Sequence, residues 1–196
     1  MTATLPDSSA ASLRTIAEEL PVPEGFRVEI IGGTIVMSPT PAGKHGRMVR
    51  LLDKMITPYL PDGYDVEVNL GVEKAPGEDD YTIPDLFVAP EDVLDTWDSE
   101  VPADEVIMVA EVVSTSNPAN DRVAKVEHYA VARIPLYLLV DPGLKQLTVY
   151  SDPAEGHYRA VHSVPWGEKL TLPEPLPVVV DSSRFPSIDG RPRRGR

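Results

Sequence analysis

The sequence predicts an α/β fold, in which a mixed β-sheet is flanked by helices and carries β-hairpins at its periphery. Two near-continuous apolar runs, VIMVAEVVS from Val106 and IPLYLLVD from Ile134, have the length and composition of strands buried on both faces. The segment between them, DRVAKVEHYAVA, has the apolar spacing of a helix. A strand, a helix and a strand in this order predict a parallel crossover ending near Val140.

The elements before this crossover are a short helix, a hairpin and a longer helix. The first helix is predicted over residues 12–20. FRVEII and TIVMSP flank Gly32 and Gly33, and paired glycines supply the positive φ angles of a tight hairpin turn. From His45 to Ile56, apolar residues recur at helical spacing, which indicates a helix with one buried face.

The remaining segments predict strands and loops around a single core. YDVEVNLGVEK and YTIPDLFVAP have strand patterns, whereas the acidic stretch 91–104 predicts an exposed loop. DPG predicts a turn joining IPLYLLVD to LKQLTVYS in a second hairpin. We expect one domain over residues 12–183, preceded by a disordered segment, 1–11. A basic, flexible tail with five Arg and one Asp is predicted over 184–196.

Composition restricts the class of protein. A chain of 196 residues that is 42% hydrophobic is long enough for one sizeable core. No apolar run predicts a membrane span, the N-terminus lacks a signal-peptide pattern, and cysteine is absent, so a cytoplasmic protein is expected. The net charge of −13 argues against broad non-specific binding of nucleic acid.

Carboxylates stand within or beside two of the apolar strands. Asp85 follows Pro84 in IPDLFV, and Glu111 lies late in VIMVAEVV. Burial of a carboxylate is costly unless a partner or a cation compensates it. Two carboxylates on neighbouring strands suit a hard divalent cation such as Mg²⁺ or Mn²⁺. An Asp at a strand end also commonly caps a turn, so the spacing alone leaves both interpretations open.

The predicted crossover helix presents polar residues on one face. Asp121, Lys125 and Tyr129 are four residues apart and therefore lie along the same side of a helix. A lysine near a metal can orient a water molecule or stabilise the charge that develops on a phosphate. Asp121 and Lys125 would equally form an ordinary ion pair on a helix surface.

These segments also resemble a known family. PDLFV, VAEVVSTSNPANDRVAKVEHYAVARIPLYLLVDP and the hairpin RVEIIGGTIVMSPTPAGKHGRMV are similar, over roughly residues 12–150, to the Uma-type "putative restriction endonuclease" family of the PD-(D/E)XK nuclease superfamily. The resemblance implies a restriction-endonuclease-like fold. It further implies a metal-dependent endonuclease that hydrolyses phosphodiester bonds in nucleic acid, with DNA as the expected substrate.

The resemblance also implies roles for individual residues. Asp85 and Glu111 would bind Mg²⁺ or Mn²⁺, together with the carbonyl group of Val112. The superfamily motif has a lysine two residues after the glutamate, where this chain has Val113, so Lys125 on the helix is the matching candidate. Asp85, Glu111 and Lys125 are therefore the predicted catalytic residues.

Two points stay open after the resemblance is considered. The acidic composition favours an alternative function, that of a catalytically inactive binding or assembly module with a nuclease fold. Related nucleases often pair two sites to cut two strands, so a homodimer is a further possibility.

Several other polar residues have two interpretations. Glu67 is either a third acidic group of the site or an exposed strand residue, and His45 either faces the cleft or lies on the surface. Tyr129 either packs against the sheet or reaches the site with its hydroxyl group. Three histidines lack a shared metal-ligand spacing and are assigned to structural or surface positions: His128, His157 and His162. The hydroxyl residues 114–116 suit a polar turn before the helix.

Overall fold

The computed structural model describes residues 12–40, 43–75, 78–114 and 118–188. These ranges contain four α-helices: α1 (Leu13–Glu19), α2 (Gly43–Ile56), α3 (Glu91–Leu94) and α4 (Lys125–Val131). None of these helices is long and apolar enough to cross a membrane. The predicted disordered segment 1–11 and most of the predicted tail lie outside the described residues.

The same ranges contain thirteen strands. In chain order they are β1 (Phe26–Ile31), β2 (Thr34–Pro39), β3 (Tyr64–Glu67), β4 (Gly71–Glu73), β5 (Tyr81–Thr82), β6 (Leu86–Pro90), β7 (Glu100–Pro102), β8 (Met108–Val112), β9 (Leu136–Asp141), β10 (Gln146–Ala154), β11 (His157–Pro165), β12 (Lys169–Thr171) and β13 (Val179–Asp181).

Most strands belong to two mixed sheets. The six-stranded sheet has the order β11-β10-β9-β8-β6-β3, and the five-stranded sheet has the order β2-β1-β5-β4-β7. Each sheet contains one parallel pair, β8 with β9 and β4 with β7, among antiparallel neighbours. The predicted α/β fold with a mixed sheet, flanking helices and peripheral hairpins is therefore confirmed.

The predicted parallel crossover is present. β8 runs parallel to β9, with Val112 opposite Val140. The connection between them contains a π-helical turn (Asn120–Ala124) that leads directly into α4. Such turns alter the helical repeat locally and are frequent at functional sites.

Helices α2 and α4 cover opposite faces of the six-stranded sheet. Successive strand residues point to opposite faces, and the core accordingly divides into two clusters. On one face, Leu52 of α2 packs with Ala110 of β8 and Leu138 of β9. On the other face, Tyr129 of α4 packs with Val109 and Tyr137. The predicted buried strands are thus apolar on both sides because each side meets a helix.

Both predicted hairpins are present. In the first, β1 pairs with β2 across Gly32 and Gly33, which have φ angles of 57° and 69°. Side chains with a Cβ atom rarely adopt these angles, so the glycines set the turn. In the second, β9 pairs with β10 after the turn that follows Asp141.

Two local predictions are wrong. The acidic stretch predicted as an exposed loop contains α3 and β7, and Val101 within it is fully buried. The segment predicted as a single strand, YDVEVNLGVEK, forms β3 and β4 in different sheets, with Asn69 at a positive φ angle of 64° between them. Both differences arise from long-range pairing, since β4 pairs with the distant β7 as well as with its chain neighbour β5.

Candidate active site

A pocket of about 730 Å³ opens where the two sheets approach α2 and the crossover helix. All the residues predicted to be catalytic or to bind the metal line it: Asp85, Glu111, Val112 and Lys125. They come from three separate elements, the residue before β6, the end of β8 and the start of α4. The fold therefore brings the predicted site residues together.

Asp85 is fixed at the base of the pocket by backbone and side-chain contacts. Its Oδ2 atom accepts a hydrogen bond from the Val112 N–H at 2.8 Å, and Arg27 Nη2 lies 3.4 Å from Oδ1. Burial raises the pKa of the Asp85 carboxyl, but the hydrogen bond from His45 and the nearby charges of Arg27 and Lys125 outweigh burial and lower it overall. Asp85 is therefore ionised at neutral pH.

Glu111 is almost fully buried, at 1% exposure, and two donors meet at one of its oxygen atoms. Oε1 accepts a hydrogen bond from Lys125 Nζ at 2.6 Å and another from the Tyr129 hydroxyl at 2.8 Å. Lys125 thus reaches the glutamate from the helix, whereas the motif position two residues after it is occupied by Val113. Both Lys125 and Tyr129 belong to the helical face predicted from their spacing.

Glu29 on β1 is a residue of this site that the sequence interpretation missed. Its Oε1 atom lies 2.9 Å from Lys125 Nζ and accepts the N–H of Ile83 at 2.9 Å. The signal was available, because Glu29 interrupts an apolar strand in VEII just as Glu111 does in VIMVAEVV. No local pattern in the sequence indicates that the β1–β2 hairpin packs close to the crossover helix.

Four carboxylates and two cationic side chains form the buried centre of the pocket. We call this set the acidic cluster: Arg27, Glu29, Asp85, Glu111, Asp121 and Lys125. Burial raises the pKa of Glu111 to about 8; the charge of Lys125 opposes this rise, and the charges of Asp85 and Asp121 add to it. Burial likewise raises the pKa of Asp121. The cluster carries more negative than positive groups and is suited to a further cation.

Lys125 remains charged within this cluster. Burial alone would lower its pKa, but the carboxylates of Glu111, Glu29 and Asp121 outweigh burial and raise the pKa. Glu111 is the nearest carboxylate, with Oε1 at 2.6 Å from the ammonium nitrogen. Asp121 is more distant, with Oδ1 at 4.0 Å from the ammonium nitrogen.

The donor groups fit a divalent cation that retains water ligands. Asp85 supplies a carboxylate and Val112 a carbonyl oxygen, which are hard oxygen donors of the kind that Mg²⁺ binds. No group of three or more acidic or histidine side chains is arranged to hold an ion within the described ranges. Mg²⁺ commonly uses only one or two carboxylates together with water and substrate phosphate, so a small protein ligand set is sufficient.

His45 belongs to the pocket and Glu67 does not. The Nε2 atom of His45 lies 3.0 Å from Asp85 Oδ2 and 2.7 Å from the Val112 carbonyl oxygen. Glu67 lies on β3, and its carboxylate accepts the N–H of Val68 at 2.6 Å. Of the two candidates left open by the sequence, His45 therefore lies in the site and Glu67 lies outside it.

The other histidines lie away from the acidic cluster, whereas Ser114 lies at its edge. His128 is buried 4.0 Å from Asp80, and burial lowers its pKa to about 4. His157 and His162 are exposed on β11. The backbone N–H of Ser114 lies 3.4 Å from Asp121 Oδ2, and residues 115–117 lie outside the described residues.

Replacing Tyr129 with Phe tests the contribution of its hydroxyl to the site. We expect Tyr129→Phe to lower the free energy of unfolding by about 1–3 kcal/mol, because a fully buried hydrogen bond to Glu111 is lost. Urea unfolding followed by circular dichroism measures the change. Tyr59→Phe is the matched control, since Tyr59 is 68% exposed. Equal effects in the two variants would contradict a role for the Tyr129–Glu111 contact.

Comparison with solved structures first shows the fold. The fold matches a crystal structure described as "a putative nuclease belonging to DUF820" from Anabaena variabilis ATCC 29413, with a TM-score of 0.60 and 19% sequence identity. The match covers 87% of this chain and 92% of that chain. At this level of identity the likeness shows a common fold.

Comparison with family models then identifies the family. The model described as "Uma2: Putative restriction endonuclease" matches residues 16–183, and the chain belongs to this family. The match extends beyond the segments that carried the resemblance in the sequence and includes the strands from β10 to β13. No curated protein matches the chain.

Proposed function

We propose that this protein is a metal-dependent endonuclease that hydrolyses phosphodiester bonds in nucleic acid, with DNA as its substrate. The observation that carries the proposal is the convergence of Asp85, Glu111 and Lys125 on one pocket from separate elements of the fold. The description of the family as a restriction endonuclease supports the same activity. The name of the structural neighbour agrees with it.

Asp85, Glu111 and the Val112 carbonyl are the groups that would bind Mg²⁺ or Mn²⁺. When bound, such an ion supplies Lewis-acid activation of the phosphate and of a water nucleophile. The ionised carboxylate of Asp85 is already oriented by the Val112 N–H, so little reorganisation is needed for it to act as a ligand. The surplus of carboxylates in the acidic cluster favours the same cation.

Lys125 fixes the position of Glu111 and places a positive charge beside the reacting phosphate. Its ammonium nitrogen is 2.6 Å from Glu111 Oε1, and its side chain is only 1% exposed. In a site shielded from water, a fixed charge interacts more strongly with charge that develops during the reaction. The role that the superfamily motif gives to a strand lysine is thus proposed for a helix lysine in this chain.

Cationic side chains at the pocket are proposed to contact the phosphate backbone of the substrate. Arg27, Lys44 and Arg122 all line the pocket. Arg122 is held by Asp141 through two hydrogen bonds of 2.7 and 3.0 Å, and Lys44 donates to the Ser187 carbonyl at 2.7 Å. These contacts orient Arg122 and Lys44 at the edge of the pocket, on a protein with a net charge of −13.

A catalytically inactive binding or assembly module is the second candidate function. The hydrogen bonds of Glu111 favour this function. Its Oε1 atom already accepts hydrogen bonds from Lys125 and Tyr129 and is therefore occupied without a metal ion. The acidic composition also favours it, because extended binding to nucleic acid depends on Lys and Arg.

A cleavage assay distinguishes the two functions. The 196-residue protein would be incubated with double-stranded DNA, single-stranded DNA and RNA, each with Mg²⁺, with Mn²⁺ or with EDTA. We expect DNA to be cut only when a metal ion is present. Without a bound cation, the surplus of carboxylates in the acidic cluster would repel the phosphate group of the substrate. Glu111→Gln should abolish cutting, and Glu67→Gln, outside the pocket, should leave it unchanged.

Other results of the same assay would change the proposal. Cutting of RNA alone would reassign the substrate, and an absence of cutting in every condition would favour the binding module. Sedimentation of the same preparation with and without DNA measures the oligomeric state. We propose a homodimer on the substrate, since cutting both strands of a duplex is most direct with two sites.

A further inference from the structure

The C-terminal part of the described chain is held against the core as far as the edge of the pocket. The buried ring of Phe185 lies 5.5 Å from that of Trp166. Ile188 packs against the same core cluster and lines the pocket that contains the acidic cluster. Between them, the Ser187 carbonyl accepts a hydrogen bond from Lys44 Nζ at 2.7 Å. The residues that follow Ile188 therefore start at the pocket.

The eight residues that follow are basic, on a protein that is otherwise strongly acidic. We call residues 189–196, DGRPRRGR, the basic arm; they lie outside the described residues. The basic arm has four Arg and one Asp, a net charge of +3, so the rest of the chain carries −16 of the total of −13. Its other residues are only Gly and Pro. It therefore offers a partner guanidinium groups, which pair with phosphate in a bidentate geometry.

The cations that line the pocket supply little net positive charge for a phosphate backbone. Arg27 Nη2 lies 3.4 Å from Asp85 Oδ1, and Arg122 donates two hydrogen bonds to Asp141. Two of the three cations proposed to contact the substrate are thus already beside a carboxylate. Binding to a nucleic-acid backbone depends on Lys and Arg that neutralise phosphates. A source of positive charge beyond the pocket lining is therefore needed, and the basic arm starts beside it.

We propose that the basic arm binds the phosphate backbone of the nucleic acid whose reacting phosphate lies in the pocket. The proposal rests on the proposed function, since it takes nucleic acid as the ligand of the site, and it adds a second contact region. The arm attracts the backbone at the pocket, whereas the acidic remainder of the protein repels it elsewhere. An acidic protein thereby binds nucleic acid at one place without an extended basic surface.

The length of the basic arm suits several phosphates outside the pocket. Eight extended residues span up to about 26–29 Å. Phosphates of one strand of B-form DNA follow one another at about 3.4 Å along the helix axis. From Ile188 the arm therefore reaches over about eight nucleotides, and its four Arg are enough to neutralise about four phosphates.

The salt dependence of DNA binding tests the basic arm. Fluorescence anisotropy of a labelled DNA duplex in EDTA, from about 50 to about 200 mM NaCl, measures the affinity of the 196-residue protein. The arm variant carries four substitutions: Arg191→Gln, Arg193→Gln, Arg194→Gln and Arg196→Gln. In this variant the slope of log K against log salt should become shallower by about 3–4, because each phosphate contact contributes about 0.9. Binding at about 100 mM NaCl should weaken by about tenfold or more.

A matched variant removes the same amount of charge from another part of the surface. Its four cations are exposed and lie outside the pocket lining: Arg50→Gln, Lys54→Gln, Arg133→Gln and Arg159→Gln. We expect it to change the slope by less than about 1. Equal effects of the two variants would show that net charge alone governs binding, which would overturn the proposal. Unchanged binding by the arm variant would also overturn it, and tighter binding would show that the arm covers the pocket instead.

Photo-cross-linking tests where the basic arm lies when DNA is bound. The chain contains no cysteine, so Gly195→Cys supplies a single thiol for labelling with benzophenone maleimide. We expect this label to cross-link to duplex DNA, and a label at Lys54→Cys, exposed on α2, to give no such product. Cross-linking of the Gly195→Cys label to the protein alone, with DNA at a saturating concentration, would place the arm on the acidic body and reject the proposal.

Neither measurement depends on catalysis, so the two proposals fail separately. Binding that depends on the arm, in a protein that cuts no nucleic acid, would support the arm and reject the nuclease. Cleavage by a wild-type chain whose DNA binding matches that of the arm variant would support the nuclease and reject the arm. A wild-type chain that binds no DNA at the lowest salt concentration would reject the arm whatever the cleavage assay gives.

Discussion

Lys125→Met is expected to lower the free energy of unfolding by about 3–5 kcal/mol and to abolish metal-dependent cleavage. Methionine fills a similar volume but supplies no charge. The carboxylates of Glu29 and Glu111, at 2.9 and 2.6 Å from the ammonium nitrogen, would then be buried without it. Loss of one partner from a buried ionic group is among the most destabilising single substitutions.

Urea unfolding of Lys125→Met and of the exposed control Lys54→Met measures this effect. The double variant Lys125→Met/Glu111→Gln should recover part of the lost stability, because one of the uncompensated carboxylates is removed with the lysine. A loss of stability no larger than that of Lys54→Met would mean that the ammonium group does not stabilise the acidic cluster. Retention of cleavage would exclude Lys125 from the reaction.

Asp85→Asn is expected to reduce the rate of metal-dependent cleavage by about a thousandfold or more, since a metal ion contributes several kcal/mol to the barrier. The amide oxygen of the asparagine can still accept the Val112 N–H, so the fold should be retained. The substitution removes only the charge needed to bind the ion. Its effect on unfolding should therefore be smaller than that of Lys125→Met.

Single-turnover cleavage rates and circular dichroism of the Asp85→Asn variant test this prediction. Asp92→Asn is the matched control, because Asp92 is exposed on α3 and lies outside the pocket. A rate within about tenfold of the wild type would exclude Asp85 as a principal metal ligand. A large loss of stability would instead indicate that the charge of Asp85 is structural.

The sequence predicted the centre of the candidate site because charged residues interrupted apolar patterns. Glu111 stood out in a strand with no exposed face, and the spacing of Lys125 and Tyr129 placed both on one helical face. The same reasoning applied to Glu29 would have marked it as a site residue. Its strand was instead assigned to a peripheral hairpin, because nothing local to β1 indicates what packs against it.

Features that depend on long-range pairing were not predictable. The division of the strands into two sheets follows from contacts such as that of Ile30 with Tyr81, which are far apart in the chain. The stretch 91–104 appeared exposed because its local composition is acidic. Its burial at Val101 depends on the parallel pairing of β7 with β4.

The position of Lys125 between Glu29 and Glu111 has a consequence for how the molecule unfolds. Glu29 belongs to the five-stranded sheet and Glu111 to the six-stranded sheet, so one ammonium group joins the two. Detachment of the first hairpin would leave a buried lysine and its second carboxylate incompletely paired. The hairpin is therefore coupled to the central sheet as part of one cooperative unit, and slow amide hydrogen exchange should extend from the central sheet into β1.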